Sequence, residues 1–188
     1  RATNIFLILA ELILLFTAGV AVRRVVYHAQ VQMVKTADMP FTLESALAFR
    51  RIRQMLGMGS LPVRDPGIQY PEGIAVREND TVGEERVYST LSRLFPPSSS
   101  LASRVRWIEV GWFCLGIPLV ALWIGWATRS HLAGFVSGAF YAVVASSVIR
   151  STGQELSHET MALPFLAAHL ALDALGERGG RWRWPAAV

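Results

Sequence analysis

One short polar segment, residues 150–160, holds the side chains of this sequence that are best suited to chemistry. It contains four ionisable groups of interest: Arg150, Glu155, His158 and Glu159. Apolar runs flank the segment on both sides, and ionisable groups are costly to place at a membrane boundary, where they usually mark a working site. A second acidic position, Glu44, lies far upstream in a long polar stretch. We predict that the fold brings Glu44 and residues 150–160 together at one face of a membrane.

Two sets of carboxylates on one membrane face suit a divalent cation such as Mg²⁺ or Mn²⁺, which prefers hard oxygen ligands. Such a metal neutralises a phosphate leaving group, and the planar, permanently charged guanidinium of Arg150 suits the same phosphate. Simpler interpretations remain open at this point. Glu155 and Glu159 could be solvated loop side chains, and His158 could be a hydrogen-bonded neighbour rather than a ligand.

The composition is that of a membrane protein rather than a soluble domain. Of 188 residues, 52% are hydrophobic and six are Trp, which is unusual for a soluble domain of this size. The single cysteine, Cys114, excludes a disulfide framework within these residues. The net charge of +4 comes mostly from arginines scattered through the loops, without a basic stripe. Nucleic acid is therefore not an expected partner.

The apolar runs predict an all-α, polytopic transmembrane helix bundle with four spans. The predicted spans are residues 5–25, 107–127, 132–148 and 161–175. A cleaved signal peptide is the alternative for the first run, in which Glu11 is expected to be either paired inside the bundle or a proton or substrate contact. Arg129-Ser-His131 predicts a tight turn, and Gly134 and Gly138 give the third span a small-residue face for close helix packing. Lysine and arginine placement does not decide the orientation, because Arg23 and Arg24 oppose the basic C-terminal stretch.

The first loop, residues 27–106, is too long for a simple connector and is expected to be functional. We predict a helix over Leu43–Leu56 with Thr42 as its N-cap, and a second over Val82–Phe95 opened by a capping box between Thr81 and Glu84. Residues 61–73 contain three prolines and two glycines, so this part is predicted to be extended and turning. With four spans, this loop and residues 150–160 lie on the same side of the membrane.

Three stretches resemble, in order and topology, the catalytic subunit of oligosaccharyltransferase, a membrane glycosyltransferase of the C-type fold. In residues 44–53, Glu44 falls on the family's catalytic Asp and Arg50 on its first Arg. Residues 65–73 resemble the Asp-Pro…Tyr-Pro-x-Gly stretch of the same loop. Residues 150–159 resemble the Arg-Ser…Asp-x-Glu motif, with the same spacing from the Arg to the final acid. The resemblance covers essentially all of this sequence, which corresponds to the N-terminal part of such an enzyme.

The resemblance implies transfer of a sugar or oligosaccharide from a polyprenyl-(pyro)phosphate carrier to a protein or glycan acceptor. It implies an integral protein of a prokaryotic plasma membrane, embedded in lipid, with its active face extracytoplasmic. The implied catalytic residues are Glu44 and Glu159, the donor phosphate ligands are Arg150 and Arg50, and the ligands of Mg²⁺ or Mn²⁺ are Glu44, Glu155, Glu159 and His158. Because the acceptor-recognising C-terminal part lies outside this sequence, the fragment alone is expected to be inactive.

Two positions depart from the family pattern. Glu44 is one methylene longer than the usual Asp, and Ser157 stands where the first acid of the paired motif is expected, with Glu155 as a compensating carboxylate nearby. The loss of that acid favours an alternative, a transferase that uses a polyprenyl-monophosphate sugar and a lipid, glycan or protein hydroxyl. A non-catalytic membrane scaffold or transporter part is the third possibility, and it predicts that Glu44 and Glu159 lie far apart.

Overall fold

The computed structural model describes residues 2–35, 40–41, 43–69, 71–76, 81–152 and 155–179, and this part of the chain is predominantly helical. The helices are α1 (Ala2–Val34), α2 (Leu43–Met58), α3 (Gly83–Ser92), α4 (Leu101–Thr128), α5 (His131–Val143), α6 (Ala145–Arg150) and α7 (His158–Gly179). One antiparallel pair, β1 (Arg64–Asp65) and β2 (Ile74–Ala75), lies between α2 and α3. The predicted all-α fold class is confirmed.

Helix α4 is the central element, and α1, α3, α5 and α7 all pack against it. Its middle turns share one apolar core with α1 and α5: Leu15, Val110, Cys114, Ile117, Ala121 and Ala142. Its first turns share a second core with the first loop and the start of α7: Phe41, Ile52, Tyr88, Val105, Ile108, Leu156 and Met161. Helices α2 and α3 are therefore part of the same packed body as the start of α7.

Helix α5 returns antiparallel to α4 through the predicted tight turn. Arg129 adopts the left-handed conformation, with φ 56°, and the hydroxyl of Ser130 accepts a hydrogen bond from the N–H of Ala133. The glycine face of α5 then lies directly on α4. A Cβ at Gly134 would lie 2.5 Å from the carbonyl oxygen of Ala121, so no larger residue fits without separating the helices. The predicted turn and close packing are confirmed.

The predicted third span, residues 132–148, is interrupted at Val144. This residue is extended, with φ −60° and ψ 132°, and separates α5 from α6. The carbonyl groups freed by the break are taken up by side chains: Ser147 donates to Tyr141 at 2.7 Å, and the guanidinium of Arg23 donates to Ala142 at 3.1 Å. A broken helix inside a bundle is tolerated when neighbouring side chains satisfy its backbone in this way.

Two helices among the described residues are long and apolar enough to cross a membrane, within Ile5–Val34 and Leu101–Thr128. Helix α5 is apolar but shorter, and α7, which contains the predicted fourth span, does not meet the same criterion. Helix α1 exposes a row of large apolar side chains that would face lipid: Ile5, Phe6, Leu7, Leu9, Ile13 and Leu14. The first two predicted spans are thus matched by candidate membrane helices, while the other two spans remain predictions.

The first loop contains the two predicted helices and, between them, the predicted extended and turning segment. The capping box at Thr81 is wrong: Val82 occupies the N-cap position and makes no side-chain capping bond. Glu84, the acid of the predicted box, is buried, and its Oε2 lies 2.6 Å from Nδ1 of His158 on α7. The pairing of Glu84 with His158 therefore takes the place of a capping bond worth about 1 kcal/mol. Thr42, the predicted cap of α2, lies outside the described residues.

Candidate functional site

The two acidic stretches line one cleft of about 660 Å³. Its walls come from the start of α2, the end of α6 and the segment that opens α7: Glu44, Ser45, Leu47, Arg150, Glu155, Leu156, Ser157 and Glu159. The side chains of Glu44, Arg150, Glu155 and Glu159 are exposed, so the cleft is open to solvent. The structure therefore places three carboxylates and one guanidinium around a common space, although Glu44 is over a hundred residues from the others in sequence.

A single serine joins the two walls of this cleft. The hydroxyl of Ser45 donates to the carbonyl of Leu156 at 3.1 Å and accepts from its N–H at 2.7 Å. Both residues are buried. Because Ser45 adjoins Glu44, and Leu156 adjoins Glu155, this contact sets the distance between the two acidic walls. Sequence reasoning missed Ser45, since nothing local distinguishes it from other serines.

Arg150 is held in place by a buried arginine of α1. Arg23 is fully buried, and its guanidinium donates to the hydroxyls of Ser151 at 2.6 Å and Ser147 at 2.7 Å. These two serines lie on either side of Arg150 in sequence, so Arg23 fixes the short helix α6 that presents Arg150 to the cleft. Arg23 was interpreted from the sequence only as a topology signal. Its position at the end of the first apolar run is the signal that could have pointed to a buried role.

Ser157, which replaces an expected acid, has a structural role at the start of α7. Its hydroxyl accepts from the N–H of Thr160 at 3.3 Å, the bond typical of an N-capping serine. The pKa of Glu159 is lowered by hydrogen bonds from its own backbone N–H and from the Ser157 hydroxyl, with a smaller contribution from the charge of Arg150. Glu159 is therefore ionised at neutral pH.

The described residues do not contain a group of three or more His, Cys, Asp or Glu side chains close enough to hold a metal ion. Glu44, Glu155 and Glu159 share the cleft but are spread around it, and Ser157 contributes a hydroxyl where the family pattern has a carboxylate. Among the described residues the predicted Mg²⁺ or Mn²⁺ site is thus not preformed, and it stays a prediction. The guanidinium of Arg150 is the positive group that the cleft offers to a phosphate.

His158 is largely exposed, and it pairs with a carboxylate that does not line the cleft. Its Nδ1 lies 2.6 Å from Oε2 of Glu84, a buried carboxylate on α3. Burial raises the pKa of Glu84 to about 7, and the negative charges of Glu85 and Glu159 add to this while His158 opposes it. The expectation that His158 ligates a metal thus finds no geometric support, and the hydrogen-bonded alternative describes what is observed.

Arg50 is also engaged elsewhere, in a fork with Asp65 of β1. Nε of Arg50 lies 3.1 Å from Oδ2 and its terminal nitrogen 2.9 Å from Oδ1. Asp65 also accepts from Gln54 and from the N–H of Gly67. The hydrogen bond from Arg50 is the main reason that the pKa of Asp65 is lowered to about 2. Arg50, from the stretch 44–53, is therefore paired with Asp65, from the stretch 65–73. Arg50 does not line the cleft.

Comparison with known proteins adds no identification. No family model matches this sequence, and no curated protein matches it.

Proposed function

We propose that this chain belongs to a membrane glycosyltransferase that moves a sugar or oligosaccharide from a polyprenyl-(pyro)phosphate carrier to an acceptor, in the manner of oligosaccharyltransferase. In this proposal α1 and α4 cross the membrane, joined by the shorter α5 and by α7 as the remaining spans. The cleft between α2, α6 and α7 then opens at the extracytoplasmic face of a prokaryotic plasma membrane.

The observation that carries this proposal is the cleft itself. The family resemblance predicts that Glu44 and Glu159 act on one substrate, and both residues line the same space of about 660 Å³. A scaffold has no need for such convergence, whereas a transferase requires an acidic wall and a cation around the bond to be broken. Arg150 supplies the cation, and its planar fork suits phosphate oxygens.

The chemistry assigned to the cleft is displacement at the anomeric carbon of the donor sugar. The acceptor hydroxyl or amide nitrogen forms the new bond to that carbon as the bond to the phosphate oxygen breaks. The phosphate oxygen keeps the electron pair, and Arg150 stabilises the negative charge that develops there. Glu44 receives the proton of the acceptor, while Glu159, ionised at neutral pH, orients the acceptor by accepting a hydrogen bond.

A polyprenyl-monophosphate donor is the second candidate, and the role of Ser157 favours it. Because Ser157 caps α7 through Thr160, the cleft has one carboxylate fewer than the family pattern and no described group of metal ligands. A monophosphate leaving group carries less charge than a diphosphate, so a single arginine is better matched to it. The acceptor is then a lipid, glycan or protein hydroxyl.

The test is transfer of radiolabelled sugar in membranes that contain the full-length protein. Polyprenyl-monophosphate and polyprenyl-diphosphate sugars are supplied separately, and label is followed into protein, glycan and lipid fractions. We expect E44Q to lower transfer about 100-fold or more, since a positioned acid–base group contributes 10²–10⁴-fold. E159Q should also lower transfer, because a neutral amide accepts the orienting hydrogen bond more weakly than a carboxylate does. The control E72Q changes an exposed loop acid outside the cleft. Equal transfer by E44Q, E159Q and E72Q would exclude the proposed site.

A further inference from the structure

A second pocket, of about 260 Å³, lies at the opposite end of α2 from Glu44. One face of α3 and its C-cap forms one wall: Arg86, Ser89, Thr90 and Arg93, at the i, i+3, i+4, i+7 spacing of a helical stripe. Gly59 and Ser60, directly after α2, contribute to the other wall. Helix α2 separates this pocket from Glu44 by roughly 20 Å, at 1.5 Å per residue.

The chemistry of this pocket is that of an oxyanion site. It has two guanidinium groups and hydroxyls on three lining residues, and none of its described lining residues is acidic. Within the described part of the chain, Arg86 and Arg93 are not engaged in ion pairs, and both are exposed. In contrast, Arg50 and Arg51 on the neighbouring helix are both paired with carboxylates. The forked donors of arginine match phosphate oxygens in geometry as well as charge.

With α4 crossing the membrane as proposed above, the pocket lies at the membrane surface. A terminal nitrogen of Arg104, on the first turn of α4, donates to the carbonyl of Ser92 at 3.1 Å, which fixes the end of α3 beside α4. Arg104 precedes Trp107 by three residues, or about 4.5 Å of helix, and Trp is typical of the membrane interface. Leu94 and Phe95, next to Arg93, are 78% and 37% exposed. Basic and exposed apolar side chains thus occur together at the level of the lipid headgroups.

We propose that this pocket binds the phosphate of an anionic lipid headgroup, with Arg86 and Arg93 on the phosphate and Leu94 and Phe95 entering the acyl boundary. The proposal rests on membrane insertion of α4, as assumed under the proposed function, and otherwise goes beyond it. Combined basic and apolar contacts are the usual basis of attraction to anionic membranes. The bound lipid would hold the far end of α2 against the bilayer, while the near end carries Glu44 to the cleft.

The test is binding of phosphatidylglycerol to the purified full-length protein in neutral detergent, measured by native mass spectrometry, with phosphatidylcholine as the reference lipid. We expect R86Q/R93Q to weaken phosphatidylglycerol binding about tenfold or more, since hydrogen bonds to charged groups contribute about 1.5–3 kcal/mol each. The control R129Q changes an exposed arginine at the other end of α4 and should bind like wild type. Because Arg86 and Arg93 are exposed, both substitutions should leave the thermal midpoint unchanged.

Two further measurements distinguish a lipid headgroup from a soluble phosphate as the ligand. Water-soluble glycerol phosphate should bind much more weakly than the lipid, and L94S/F95S should reduce the affinity for the lipid alone. Equal affinity for glycerol phosphate and lipid would overturn the lipid assignment, and equal lipid binding by wild type and R86Q/R93Q would overturn the pocket. Release of the full-length protein from membranes by carbonate would contradict the membrane insertion on which both proposals rest, whereas unchanged lipid binding by R86Q/R93Q would overturn the pocket alone, so the two failures are distinguishable.

Discussion

The hydroxyl of Ser45 bonds both backbone groups of Leu156, donating to its carbonyl at 3.1 Å and accepting from its N–H at 2.7 Å. Ser45 belongs to the first turn of α2, and Leu156 to the segment that opens α7. One small side chain thus joins two parts of the chain that are over a hundred residues apart. The acids next to these two residues, Glu44 and Glu155, face the same cleft because of this contact.

Replacing Ser45 with alanine should destabilise this junction. The buried N–H and carbonyl of Leu156 would lose their partner, and each unpaired group costs about 1–3 kcal/mol. We expect S45A to lower the thermal midpoint of the full-length protein in detergent by several degrees. The matched control S99A removes an exposed hydroxyl that bonds the carbonyl of Pro96, and it should be neutral. An S45A protein as stable as S99A would contradict the proposed role of this contact.

The buried carboxyl of Glu84 should make stability depend on pH. Its pKa is raised to about 7 in the folded protein from the usual 4.5, so the folded state binds this proton more tightly than the unfolded state. The resulting stabilisation is fully present below about pH 4.5 and is lost as pH rises to about 7. His158, Glu85 and Glu159 are the charged groups that act on it.

E84Q keeps an oxygen for His158 but does not titrate. Between pH 4.5 and 7, the free energy of unfolding of the wild type should therefore fall by on the order of 2 kcal/mol relative to that of E84Q. Parallel pH profiles for the two proteins would show that Glu84 has an ordinary pKa. At low pH both side chains are neutral, so the difference between E84Q and the wild type there gives the baseline for the comparison.

The contact between α4 and α5 should not tolerate a methyl group at Gly134. A Cβ there would lie 2.5 Å from the carbonyl of Ala121 and 2.9 Å from Cα of Gly125, both of which are backbone atoms. Overpacking of this kind typically costs about 1–3 kcal/mol. Gly111, also on α4, has open space around it, so G111A should be neutral or slightly stabilising. Thermal unfolding of G134A and G111A side by side checks this, and equal midpoints would refute it.

Elements with a strong local signal were predictable from the sequence. The helices in the first loop follow from periodicity, and the extended segment between them follows from its prolines and glycines. The turn at Arg129 was predictable because it lies between two apolar runs. The glycine face of α5 was predictable because Gly134 and Gly138 recur at helical spacing. These features depend on near neighbours, which the sequence shows directly.

Features that depend on distant partners were not predictable. No proline or glycine lies at or beside Val144 to predict the break in the helix there. The break is stabilised by Arg23, which lies on another helix. Glu84 has the spacing from Thr81 of a capping residue, but its partner, His158, belongs to the distant helix α7. The sequence likewise contains no local signal that Arg50 would pair with Asp65 rather than turn toward the cleft.

Donor binding at Arg150 is the most direct test of the central claim that the cleft receives a polyprenyl-linked phosphate. Affinity for polyprenyl pyrophosphate and polyprenyl phosphate would be measured on full-length protein in detergent, with R150Q compared with wild type and R129Q. We predict that R150Q weakens binding of the preferred carrier about 10- to 100-fold, since a charged hydrogen bond contributes about 1.5–3 kcal/mol, and that R129Q binds normally. Wild-type affinity in R150Q for both carriers would contradict the account.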